Sequence, residues 1–121
     1  MIIHKKLLKK CIVFKTNEFR DSRGYLTEIF NENIFNKKFK KNFKCKQINF
    51  IFSKKNSLRG LHFQKKPFSQ KKILRVIKGK IFDVVVDIRK KSKSFGKFKS
   101  VILSDKNKNK SIFRMVLPMV I

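Results

Sequence analysis

The chain has 121 residues, with 33 Lys and Arg against 7 Asp and Glu and a formal net charge of +26. Hydrophobic residues make up 41% and run along its whole length, which excludes a disordered polyelectrolyte and fits one domain, residues 1–121, long enough to bury a core. The charge points towards nucleic acid or an anionic surface, but an AT-rich coding sequence produces the same excess, because Lys, Ile, Phe and Asn abound while Ala and Trp are absent.

The opening MIIHKKLLKKCIVF is basic, and its apolar runs are too short for a signal-peptide core or a membrane span. The expectation is a cytoplasmic protein with no membrane association. Cys11 and Cys45 form no C-x-x-C pair and read as reduced thiols. His4 sits among lysines and reads as solvated. With two histidines in all, an imidazole-based metal site is not expected, and no cofactor is.

Turn signals recur at short intervals: Asn17, Asp21 to Gly24, Asn31 to Asn33, Lys54 to Asn56, Lys65 to Pro67, Lys78 to Lys80, Lys90 to Ser94, and Asp105 to Asn109. The short apolar runs between them predict an all-β sandwich or barrel. Residues 31–43, through Ile34, Phe35 and Phe39, have spacing for one short helix. Residues 72–89 predict a hairpin about Lys78-Gly79: Ile73, Arg75 and Ile77 alternate with their neighbours, as do Phe82, Val84, Val86 and Ile88 with Asp83, Val85 and Asp87. Gly79 supplies the positive φ.

Phosphate-binding glycine loops and nucleic-acid signatures are absent. What remains are polar residues in apolar runs: Arg59, His62, Gln64, Lys72, Asp83 and Asp87. Each alone reads as a strand residue on a solvated face. Together, an imidazole near Arg59 and Lys72 suits proton abstraction next to a carbonyl, since the cations stabilise the developing enolate.

These motifs resemble those of the dTDP-4-dehydrorhamnose 3,5-epimerase family: DSRGYLTE at 21–28, QIN at 47–49, RGLHFQ at 59–64, QKKILRVIKGKIFDVVVDIR at 70–89 and SKSFG at 92–96, in order and in register from about residue 12 to 113. The resemblance implies a cupin-type jelly roll (a double-stranded β-helix), a homodimer, and no metal. It implies an isomerase that epimerises C3 and C5 of dTDP-4-dehydro-6-deoxyglucose in dTDP-L-rhamnose biosynthesis. By resemblance His62 is the general base, Arg59 and Lys72 bind substrate and stabilise the enolate, and Arg23, Glu28, Gln47, Ile48 and Asn49 hold the dTDP part. Asp83 and Asp87 are read as structural. The alternatives are a related dTDP-ketosugar isomerase or epimerase, or a basic β-domain that meets nucleic acid by charge alone.

Two departures stand out. Asn49-Phe50-Ile51-Phe52-Ser53 replaces a more polar family segment. After LSDKNKNKSIF the family continues with i-P-x-G-F-A-H-G-F and a portion carrying the tyrosine acid and the base's carboxylate partner, where this chain has RMVLPMVI. Met-Val is ATG GTN, and read two bases later each forces a glycine, so 114–121 is expected to be an out-of-frame tail and the jelly roll incomplete at its C-terminal end. The expected consequence is weak or absent turnover.

Overall fold

The structure, a computed structural model, describes residues 2–8, 11–40, 42–65, 67–107, 110–113 and 119–120, with backbone alone at 4, 5, 110–113 and 119–120. The readings of the His4 side chain and of 114–118 and 121 lie outside the described residues.

The elements run β1 (Ile2–Leu8), β2 (Cys11–Lys15), β3 (Glu18–Asp21), β4 (Gly24–Thr27), α1 (Glu32–Phe39), β5 (Lys72–Arg75), β6 (Lys80–Val86), β7 (Phe98–Ser104), β8 (Lys110–Phe113) and β9 (Met119–Val120). They form a sheet of order β1-β2-β8-β5, a ribbon β3-β4, and a sheet of order β7-β6-β9, with antiparallel pairing throughout.

Strand β2 reads CIVF without alternation because both of its faces are covered. Cys11 and Val13 join Leu7, Leu8 and Val85, with Leu74 and Val101 against them, and so fill the space between the two larger sheets. Phe14, one step out of phase, packs with Phe35 and Phe43, flanked by Ile12, Phe30, Phe39 and Ile73, under helix α1. The rings meet edge-on or tilted, Phe14 and Phe35 at 6.0 Å and Phe35 and Phe39 at 4.8 Å, the geometry that aromatic quadrupoles favour.

Helix α1 lies inside the predicted range. Asn31 caps it, its Oδ1 accepting from the Ile34 N–H at 3.1 Å. Lys40, in the left-handed region at φ 48°, ends it.

The hairpin expected over 72–89 does not form. Strand β5 pairs with β8, while β6 pairs with β7 and β9, in different sheets. The physical reason is the core: Leu74 and Val85 pack in one cluster from opposite sheets, whereas a hairpin sets its two strands side by side. Gly79 does take positive φ, 85°, but it turns against the β7–β8 connection. Its N–H donates to Asp105 Oδ2 at 3.0 Å and its carbonyl accepts from the Asp105 N–H at 3.1 Å.

A second correction concerns 42–71, where the turn spacing predicts strands. Arg59 and Gln64 lie in backbone outside any strand, and His62 closes only an isolated bridge. A strand needs a neighbour, and among the described residues none runs alongside this stretch.

Candidate functional site

The site is assembled on three supports. The first is the β3–β4 ribbon, which turns at Ser22-Arg23. Asp21 Oδ1 accepts the Arg23 N–H at 2.9 Å and Oδ2 accepts from the guanidinium at 2.7 Å. Those bonds hold the Asp21 carboxyl below the usual carboxylate range. Because the pair is exposed, an anionic ligand can draw Arg23 away at small cost. Glu28 follows β4 directly, and its Oε2 accepts from Asn31 Nδ2 at 3.1 Å, which ties it to the start of α1.

The second support is an amide clamp. Asn36 Oδ1 accepts the Phe43 N–H at 2.7 Å and its Nδ2 donates to the Phe43 carbonyl at 2.9 Å, so one side chain replaces a strand partner. Glu32 Oε2 accepts the Cys45 N–H at 3.2 Å. This fixes the approach to Gln47-Ile48-Asn49, where Gln47 Nε2 donates to Asn49 Oδ1 at 2.9 Å and Ile48 is exposed. Lys71 Nζ donates to the Asn42 carbonyl at 3.0 Å, which brings the residue beside Lys72 onto the same segment. Lys72 itself opens β5 with its side chain exposed.

The third support is Arg59. Its Nε donates to Ser53 Oγ at 2.9 Å and its Nη2 to the Phe52 carbonyl at 3.3 Å, which fixes the guanidinium; His62, three residues on, is also exposed. The sequence suggested that the Phe50-Ile51-Phe52 substitution strips polarity from this region. The structure qualifies that: Ser53 and a backbone carbonyl still brace Arg59.

The described contacts therefore join Gln47 to Asn49, Lys71 to the 42–49 segment, and Arg59 to 52–53. They place Arg23 with Asp21 on the ribbon instead. Sequence reasoning missed Asn36, Ser53 and Lys71 as supports, because backbone-directed bonds from side chains leave no spacing signal.

Asp83 and Asp87 are both fully buried. Asp87 Oδ1 accepts from Arg89 Nε at 2.7 Å and from the Arg89 N–H at 3.1 Å, and Oδ2 accepts from Ser92 Oγ at 2.6 Å and from Ser94 Oγ. The Arg89 bonds first, then the serines, hold its carboxyl well below the usual range against the opposing effect of burial. This anchor ties β6 to the 90–96 turn, which agrees with a structural role. Cys11 and Cys45 are free thiols. Burial, and then the charge of Asp83, pushes the Cys11 thiol up to about 12.

The antiparallel sheets stacked about the cluster of Leu7, Leu8, Cys11, Val13 and Val85 make an all-β fold of the cupin jelly-roll type, in line with the solved structures of similar chains. The structure superposes with a TM-score of 0.90 on dTDP-4-dehydrorhamnose 3,5-epimerase from Elizabethkingia anophelis, at 34% identity, covering 98% of this chain and 64% of that one. It superposes with a TM-score of 0.91 on the Legionella pneumophila dTDP-6-deoxy-D-glucose-3,5-epimerase, solved with dTDP-4-keto-L-rhamnose, at 31% identity, covering 98% and 62%. A curated dTDP-4-dehydrorhamnose 3,5-epimerase from Shigella flexneri is 40% identical over 108 residues, 89% of this chain and 60% of that protein. The family profile described as dTDP-4-dehydrorhamnose 3,5-epimerase matches residues 5–114. The chain belongs to that family. It spans about 60% of the length of the Shigella relative.

Proposed function

We propose that these residues form the base-and-cation half of a carbohydrate epimerase that inverts C3 and C5 of dTDP-4-dehydro-6-deoxyglucose. The observation that carries this reading is Arg59, held by Ser53 Oγ and the Phe52 carbonyl, three residues before an exposed His62. His62 removes the proton next to the C4 keto group, and Arg59 and Lys72 stabilise the enolate oxygen as charge develops. Arg23, Glu28, Gln47, Ile48 and Asn49 hold the dTDP part, with Arg23 exchanging Asp21 for phosphate.

Returning a proton to the opposite face requires an acid. The one tyrosine in the 121 residues, Tyr25, lies on β4 with the Arg20 guanidinium 5.1 Å above its ring, outside the His62 segment. Among the described residues no contact joins a tyrosine to His62, and residues 1–121 assayed alone are expected to turn over roughly a hundredfold or more slower than an enzyme with a paired acid. The assay is deuterium wash-in at the sugar C3 and C5: fast exchange by residues 1–121 alone contradicts the reading.

Two further parts of the proposal concern assembly and place. A homodimer is supported by the outer face of the β6–β7 sheet, where Phe82 faces Ile102 and Val86 faces Phe98 in register and Phe82, Phe98 and Ile102 are exposed. Monomers rarely leave such a patch bare. A cytoplasmic location suits free thiols and a nucleotide-sugar substrate; among the described residues no helix is long and apolar enough to cross a membrane.

A further inference from the structure

The acidic residues of this chain are engaged within the fold. Glu18, Asp21 and Asp87 pair with Arg20, Arg23 and Arg89. Glu28 accepts from Asn31, Glu32 from the Cys45 N–H and Asp105 from the Gly79 N–H, while Asp83 is fully buried. The excess of lysine therefore leaves a field at the surface that few carboxylates oppose.

Two stretches concentrate it, and they differ in what accompanies the charge. Over 37–46 the aromatic residues, Phe39 and Phe43, are packed against the core. Over 90–97, KKSKSFGK, the aromatic residue is outside: Phe95 is 54% exposed. Next to it Gly96, at φ 75°, has open space where a Cβ would stand. Lys90, Lys91, Lys93 and Lys97 are all exposed, and none makes an ion pair or side-chain hydrogen bond among the described residues.

This turn is also fixed in advance. The Gly96 N–H donates to the Asp87 carbonyl at 2.7 Å and the Asp87 N–H to the Lys97 carbonyl at 2.9 Å, which closes its neck. Inside the loop the N–H groups of Ser92, Phe95 and Lys97 donate to the carbonyls of Arg89, Ser92 and Ser94, and the buried Asp87 carboxylate holds both serine hydroxyls. The backbone bonds are satisfied internally, so the side chains are what the loop offers outward, and little ordering remains to be done on binding. Unpaired cations around an accessible ring match a flexible polyanion that carries flat apolar groups: the lysines meet successive phosphates and the ring stacks on a base. A duplex keeps its base faces stacked and can use the lysines alone.

We propose that the 90–97 turn binds single-stranded nucleic acid, with Lys90, Lys91, Lys93 and Lys97 on the phosphates and Phe95 against a base. Phe98, on the outer sheet face, takes no part. This inference does not depend on the proposed reaction.

The test is fluorescence anisotropy of residues 1–121 with a labelled oligothymidylate of about twelve nucleotides, within the span such sites cover, and with a duplex of the same length. Replacing Lys90, Lys91 and Lys93 by Gln should weaken single-strand binding at least about tenfold. Removing the same charge from the other stretch, with Lys37, Lys38 and Lys44 replaced by Gln, should weaken it by less than about threefold. Phe95→Ser should lower single-strand affinity about fivefold or more and leave duplex affinity unchanged. Circular dichroism and amide exchange report that each variant keeps the fold. Equal losses from the two lysine triples, or a Phe95→Ser variant that binds the single strand like the wild type, overturns the proposal. Co-sedimentation with phosphatidylserine vesicles that Phe95→Ser abolishes, while oligonucleotide binding is unaffected, assigns the turn to a membrane surface and overturns it too.

Discussion

Replacing Asp87 by Asn isolates the one fully described buried charge cluster. The carboxylate is fully buried and accepts from Arg89, Ser92 and Ser94, while the Arg89 side chain is only 19% exposed. The variant keeps the shape but leaves a mostly enclosed guanidinium without its counter-charge. Breaking one partner of such a pair costs about 3–5 kcal/mol, against a total stability of about 5–15 kcal/mol for a domain. With a urea slope of about 2 kcal/mol per M, the midpoint should fall by roughly 2 M. A second reading comes from pH. The folded carboxyl lies well below the ordinary value, so its stabilisation is fully present above the unfolded value of about 3.9 and is lost as pH falls below that. The wild type should lose stability through this acid range and Asp87→Asn should not lose that component. A urea shift under about 1 kcal/mol, the magnitude of an exposed pair, refutes the reasoning.

Asn36→Ala removes both arms of the clamp on Phe43; a cost of about 1–3 kcal/mol is expected, with faster exchange of the amides at 43–45 by mass spectrometry. Iodoacetamide at pH 8 should add once, at Cys45, because Cys11 is buried with its thiol pushed up to about 12; two adducts on the folded chain contradict the packing around Cys11. With a net charge of +26, the chain should bind duplex DNA at low salt, with affinity falling steeply as salt rises. That binding should be unaffected by His62→Asn, and equal affinity at low and high salt would contradict a purely electrostatic contact.

Much of the fold was legible because its signals are local. The Asp21-Ser22-Arg23-Gly24 turn became the β3–β4 hairpin, the helical spacing over 31–43 holds α1 (Glu32–Phe39), and the period two over 82–88 overlaps β6 (Lys80–Val86). The failure over 72–89 shows the limit: alternation identifies strands, but it does not say whether two of them lie side by side or face to face. That was decided by which residues fill the core, with Leu74 and Val85 meeting across it. Alternation also misled about sides, since β6 buries Asp83 and Val85 and exposes Phe82. In the 42–71 stretch the side-chain pattern is strand-like, but a ladder also requires a partner, which no local pattern contains. Of the site, the motif residues could be named in advance because their clustering is chemical. Their supports, Asn36 and Ser53, could not, because a side chain that bonds to a distant backbone has no sequence period.

The most direct test of the account compares deuterium incorporation at C3 and C5 of dTDP-4-dehydro-6-deoxyglucose by residues 1–121, by its His62→Asn variant, and by the full-length Shigella flexneri relative. The predicted result is exchange at least about a hundredfold slower than that of the relative, with whatever exchange remains falling to the buffer background when His62 is replaced. Exchange at the relative's rate by residues 1–121 alone, or exchange that persists unchanged in His62→Asn, would contradict the account of His62 as the base.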